Sequence, residues 1–134
     1  MRIMAIDYGD ARTGIAVSDP LGMLAGETFV ITQWDPNALA DTIAAEAKAR
    51  DVGTLVLGLP KNMDGTEGPR AEKSRAMKAL LEGLGMTVVL WDERRTTVDA
   101  HRILHANGKR EKKHKATVDA VAAALILEGY LGTL

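Results

Sequence analysis

The 134-residue chain has no cysteine, only 4% aromatic residues, four prolines and a net charge of just −1. Without cysteine there is no disulfide, no thiolate nucleophile and no cysteine-ligated metal, and the expected compartment is the cytoplasm. So few aromatics argue against base-stacking recognition of the kind many single-strand binders use. The longest apolar stretch, AVAAALIL, falls far short of the roughly 20 residues that cross a bilayer. Nor does the first apolar run form a secretory leader, because Asp7 interrupts it. No membrane partner is expected.

What remains is ordinary for a globular protein: 46% apolar and 26% charged residues in a length that suits one domain, residues 1–134, with a single core. Charge is unevenly spread. From Arg94 to Lys115 there are eight cations (Arg94, Arg95, Arg102, Lys109, Arg110, Lys112, Lys113, Lys115) against Asp99 and Glu111, a net of +6 in a chain that totals −1. One basic segment on an otherwise acidic chain is the asymmetry of a protein that meets phosphate at one surface; a solvated charged loop is the plain alternative.

Hydrophobic patterning predicts the order of elements. RIMAID and TGIAVSD, joined by a Gly-containing bend, read as an antiparallel hairpin, with GETFVIT as a third strand. Asp35-Pro36 supplies an N-cap and a first-turn proline for a helix to about Arg50. VGTLVLGLP reads as a strand covered on both faces. KNMDGTEGP is turn-rich, and Met77, Leu80, Leu81 and Leu84 then make a helical stripe that Gly85 can end. MTVVLWDE is the last strand. A helix from about Thr97 to Ala106, the basic loop NGKREKKHK and a final helix from about Ala116 to Leu131 follow. Three strands able to form a meander, then strands alternating with helices, predict an α/β fold: a mixed sheet with flanking helices.

Three acids sit in unfavourable places. Asp7 ends the first apolar strand, Asp92 and Glu93 close the last, and Asp119 shares a helix face with Ala123, Ile126 and Tyr130. An uncompensated buried carboxylate is costly, so convergence of such acids calls for cations. Oxygen ligands without His or Cys suit Mg²⁺ or Mn²⁺, and carboxylates around such ions are the hardware for attack of water on a phosphodiester. Each acid alone also fits a cap, a turn or an ion pair, and Asp119 near a helix start suits the macrodipole.

Other constellations point less far. His101 and His105 have zinc-compatible spacing, but HRILH lacks the Glu of a metalloprotease helix. Ser18 has no partner base and is rejected as a nucleophile. GLPKNMDG is either a strand-to-helix connection, with Thr66 or a neighbour capping, or a mobile loop at a strand's C-terminal end, where such sheets bind ligands. In DERRTT, Arg94 or Thr96 suits phosphate, while Thr96 or Thr97 equally suits a helix cap.

These residues together resemble the YqgF family of Holliday-junction-resolvase-like proteins and pre-16S rRNA nucleases, within the RNase H-like superfamily. DYGDARTGIAVSD is similar to that family's D-x-G-x-x-R-x-G-x-A-x-S-D opening, GLPKNMDG to its G-L-P-x-x-x-D-G loop, DERRTT to D-E-R-x-T-T and KATVDAVAA to K-x-x-x-D-x-x-A-A. The resemblance implies an RNase H-like five-stranded mixed sheet, antiparallel β1–β2–β3 plus parallel strands, on which Asp7, Glu93 and Asp119 converge as catalytic metal ligands. It implies phosphate or structural contacts from Arg12 and Arg94 and a substrate-facing cation at Lys115; Arg95, Lys109, Arg110, Lys112 and Lys113 of the basic segment are the further candidates for nucleic-acid contact. Arg95 stands where the family more often has an apolar residue, and Glu128 where Gln is common.

The expected activity is a Mg²⁺- or Mn²⁺-dependent nuclease on structured nucleic acid, processing the 5′ end of pre-16S rRNA, alone or on a ribosome precursor. Its alternatives are resolution of branched DNA, which favours a homodimer over a monomer, and a non-catalytic nucleic-acid-binding regulator. An actin-like ATPase, which also carries D-x-G after its first strand, needs a second domain and a second phosphate loop that this chain lacks.

Overall fold

The computed structural model describes residues 1–21, 25–95 and 114–134, without the side chains of 25, 95 and 114–119. Strands β1 (Arg2–Asp7), β2 (Arg12–Ser18) and β3 (Ala25–Thr32) form the antiparallel meander. Helix α1 (Pro36–Ala49) crosses to β4 (Val52–Leu59), and α2 (Pro69–Gly83) crosses to β5 (Val88–Asp92). A 3-10 turn (Glu93–Arg95) follows, and α3 (His114–Leu131) closes the chain. The sheet order is β3-β2-β1-β4-β5, with β4 parallel to both β1 and β5. The five-stranded mixed sheet is therefore as the patterning requires.

Alternation along the strands divides the core in two. Met4, Ile6, Ile15, Val17, Leu55 and Leu57 face α1 and α2, packing on Leu39, Ile43, Met77 and Leu81. Ala5, Ala16 and Val56 face α3, packing on Ala123, Ile126 and Leu127. Small residues on this second face let the helix sit close to the sheet. A Cβ on Gly129 of α3, for instance, would lie 2.7 Å from the Trp91 ring, which also meets Tyr130 edge-on with centroids 6.5 Å apart.

Local signals account for most boundaries. Asp35 caps α1 by accepting a 2.8 Å bond from the Ala38 N–H, and Pro36 opens the helix. Gly85, at φ +88°, lies just past the end of α2 in the conformation that glycine adopts without strain. Two boundaries differ from the sequence reading. Gly68, not Thr66, immediately precedes α2 and supplies no side-chain cap; Thr66 instead lies within the preceding turn, where its N–H and hydroxyl donate to Asp64 Oδ1 at 2.9 and 2.6 Å. Helix α3 begins at His114, so His114 and Lys115 are helical rather than part of a basic loop. The expected helix over 97–106, with His101 and His105, and the loop residues 107–113 lie outside the described residues.

Candidate active site

The site is built where the central strands end. Asp7 is two residues beyond Ala5 and so belongs to the α3 face of the sheet, while Ile6 pairs with Leu57 on β4. Extending that register by one residue sets Asp7 beside Gly58. This glycine has no positive φ; what it supplies is room. A Cβ there would collide with the Glu93 Oε1 atom and lie 2.9 Å from both the Glu93 Cδ and the Ile126 Cδ1. The Glu93 carboxyl therefore occupies the space that a side chain at 58 would fill, on the same face as Asp7.

Two carboxyls in this setting cannot both ionise freely. Burial pushes the Glu93 carboxyl up from 4.5 to about 8, helped by the charge of Asp7 and a hydrogen bond with it; the Arg70 guanidinium pulls the other way, and Asp92 adds to the rise. Burial and mutual repulsion thus favour a proton on the pair over full ionisation of both. Arg70, on the first turn of α2, thus has its charge within reach of the acids.

Around the pair, the chain is tied down by its own polar groups. Asp92 accepts from the Arg94 guanidinium at 2.6–3.1 Å and from the Arg94 N–H at 3.0 Å, which holds its carboxyl below the usual carboxylate range. Arg94 also donates to the Met63 carbonyl at 3.4 Å, joining the end of β5 to the GLPKNMDG segment. That segment closes on itself: the Asn62 N–H donates to the Thr66 carbonyl at 2.8 Å and the Gly65 N–H to the Asn62 carbonyl at 2.9 Å, with Gly65 at φ +89°. On the opposite side of β1, the turn to β2 is tight, since a Cβ on Gly9 would strike the Arg12 carbonyl oxygen.

Of the candidate ligands, Asp7 and Glu93 are brought together; Glu93 sits in the 3-10 turn just past β5 rather than in the strand. Asp119 falls in the early turns of α3, one turn before the fully buried Ala123, and its side chain lies outside the described residues. Among the candidate cations, Arg12 is exposed at the start of β2 and Arg94 is engaged with Asp92. The side chains of Arg95 and Lys115, and all of Lys109, Arg110, Lys112 and Lys113, lie outside the described residues. Ser18 is structural: its hydroxyl accepts from the Ile3 N–H at 2.8 Å and donates to the Asp19 carbonyl at 3.1 Å. Sequence reasoning missed Gly58 and Arg70. A glycine inside an otherwise apolar strand was the available signal for the first; nothing in the local sequence singles out the second.

The donor set fits a hard divalent cation. Asp7 and Glu93 offer oxygen only, and their forced proximity is relieved by positive charge between them. Among the described residues no group of three metal-ligating side chains converges. Asp119, expected from the sequence as a third ligand, has its side chain outside them.

With this geometry in hand, comparison with known proteins is informative. The family described as RuvX, Holliday junction resolvase, matches residues 1–133. The chain is 46% identical over 132 residues to a protein of Halothermothrix orenii named "Putative pre-16S rRNA nuclease", covering 98% of this chain and 94% of that one. It is 43% identical over 136 residues to a Listeria innocua protein of the same name, with 99% of both covered. Its fold is similar to that of the fowlpox virus resolvase in complex with Holliday junction DNA, at TM-score 0.62 and 14% identity over 99% of this chain and 98% of the other. It is likewise similar to RuvC of T. thermophilus bound to a Holliday junction substrate, at TM-score 0.58 and 14% identity, covering 99% and 97%.

Proposed function

Because the chain belongs to the RuvX family of Holliday junction resolvases, we propose that its paired carboxylates serve a divalent-metal-dependent nuclease that processes the 5′ end of pre-16S rRNA. The observation that carries this reading is the seat of Glu93: a glycine-made space at the end of β4 that presses one carboxyl against Asp7 and pushes it up to about 8. A purely structural acid gains nothing from such a position. The names of the curated relatives supply the rRNA substrate.

Asp7, Glu93 and Asp119 would hold Mg²⁺ or Mn²⁺, two ions in the fullest form of the mechanism. When bound, such ions supply the positive charge that activates water and stabilises the leaving oxygen of a phosphodiester. The chain's own tasks are to keep Asp7 and Glu93 apposed and to orient the backbone of the substrate. The charge of Arg70 reaches the acids, and Arg12 with the cations between Arg94 and Lys115, including Arg95, Lys109, Arg110, Lys112 and Lys113, would hold the flanking polyanion. Asp92 and Arg94 fix the turn that carries Glu93.

The test is a cleavage assay in Mg²⁺, Mn²⁺ or EDTA, offering labelled precursor rRNA, linear strands and four-way DNA junctions to the chain and to Asp7→Asn. Metal-dependent cutting of the precursor, lost in the variant, is the expected result. Cutting of the junction alone by a dimer would replace the rRNA reading with resolution of branched DNA. Substrate bound but intact with both proteins would leave a binding module.

A further inference from the structure

An open trough of about 440 Å³ lies on the α1/α2 face, around the end of β1 from the acids, and nothing in the cleavage chemistry uses it. Its lining is mostly apolar: Tyr8, Trp34, Pro36, Ala76, Met77 and Leu80. Trp34 is 72% exposed, although it is one of only two tryptophans in the chain and the other, Trp91, is 6% exposed. Charge enters only at one lip, where Asp10 bonds Lys73 at 3.0 Å and meets Arg70 at 3.7 Å. Two cations against one carboxylate leave that lip positive. A smaller recess lined by Tyr8, Gly9, Asp10, Arg70 and Lys73 continues the trough toward the end of β1.

Tyr8 directly follows Asp7, so their Cα atoms are about 3.8 Å apart while their side chains leave opposite faces of the sheet. A strand crossing the end of β1 therefore meets, in order, the acids, the positive lip and the apolar trough. Phosphate complements the lip, and a planar apolar surface with one edge open to solvent complements the trough. A duplex base has both faces covered by its neighbours, so only an unstacked one can enter. Resting on the nuclease reading, we propose that this trough seats a single unpaired base of the substrate strand, stacked on Trp34, with the adjoining phosphate on Arg70 and Lys73. The scarcity of aromatics excludes an extended stacking platform; a seat for one base needs only one exposed ring.

The experiment uses the full chain carrying Asp7→Asn, in Mg²⁺, so that binding is read without cleavage. Trp34 emission is followed while adding single-stranded RNA, single-stranded DNA of the same sequence, blunt duplexes of each, and single strands with one abasic position walked along them. Single strands should quench the emission, duplexes should bind without quenching, and one abasic position should abolish the quench. Adding Trp34→Ala should weaken single-strand binding roughly 5- to 150-fold, the range of one base–aromatic stack, and leave duplex binding unchanged, with Trp34→Phe recovering most of the loss. The stronger of the RNA and DNA arms names the sugar. Equal single-strand affinity with and without Trp34, or quenching by duplex as strong as by single strand, would overturn the base seat and leave the nuclease reading intact. No binding of any nucleic acid would overturn both.

Discussion

Replacing Gly58 by alanine separates the role of the glycine in catalysis from its role in the fold. The added Cβ meets the end of Glu93, with the carboxyl carbon 2.9 Å away, and the Ile126 Cδ1 at the same distance. Overfilling a packed site costs about 1–3 kcal/mol, and because Gly58 has no positive φ, the stiffer unfolded chain returns about 0.4–1 kcal/mol. The net loss is roughly 0–2.5 kcal/mol, or a few degrees up to about 10 °C in Tm for a chain of this size. Both obstructing atoms terminate flexible side chains, so the low end of that range is expected, with Glu93 yielding by swinging away from Asp7. Activity should suffer far more: displacement of about 1 Å at a reacting centre costs on the order of 100-fold.

The assay pairs thermal unfolding, with and without Mg²⁺, with the rate of precursor cleavage. Gly58→Ala should lose a few degrees, most of its Mg²⁺-induced rise in Tm and most of its rate. Combining it with Ile126→Val, which removes Cδ1, should recover stability without recovering cleavage. Gly83→Ala is the control, since no atom lies within 4 Å of its added Cβ; at the end of α2 it should raise Tm slightly. A Gly58→Ala protein with wild-type cleavage and a wild-type Mg²⁺ response would refute the argument that the glycine seats Glu93.

In EDTA, Glu93 holds its proton to about 8 in the folded chain against 4.5 when unperturbed, so between those values the folded state binds more protons. Stability should then fall as pH rises from about 4.5 toward about 8, a slope that Glu93→Gln should flatten in pH-dependent denaturation. Arg50 binds Glu27 through two bonds of 2.9 and 3.0 Å, also pairs with Glu46, and lies over the Phe29 ring 4.6 Å from its centroid; Arg50→Lys should cost about 1–2 kcal/mol by urea denaturation, since a lysine cannot make the paired bonds. Gly85→Ala, forced to φ +88°, should cost about 1–2 kcal/mol, readable as a lower urea midpoint with unchanged slope.

Most of the architecture was legible because it follows from local rules. Asp35-Pro36 marks a helix start wherever it stands, alternation in RIMAID separates two faces, and VGTLVLGL carries the continuous apolar run of a strand buried on both sides. The start of α2 was harder. Its apolar stripe reads from Met77, yet the helix already begins at Pro69 behind Gly68, which has no side chain to act as a cap signal, while Thr66 turns its donors to Asp64 within the preceding turn. Such competition between neighbouring side chains is not additive along a sequence. The tie from Arg94 to the Met63 carbonyl spans 31 residues and has no local signal at all.

The site was legible in its acids and not in their support, and the asymmetry has a physical basis. A carboxylate ending an apolar strand conflicts with its surroundings, so Asp7 announces itself in sequence. The features that make it useful are absences and reaches: a missing side chain at Gly58, and the charge of Arg70 arriving from another element. Neither conflicts with local patterning, so neither stands out. The same conflict binds activity to stability. Whatever cation joins Asp7 and Glu93 relieves a strain already present in the fold, so its affinity should appear as added stability, about 2.7 kcal/mol at a hundredfold excess over its Kd. That gain is measurable before any substrate is known, and it vanishes if the two acids are apposed for a reason other than holding an ion.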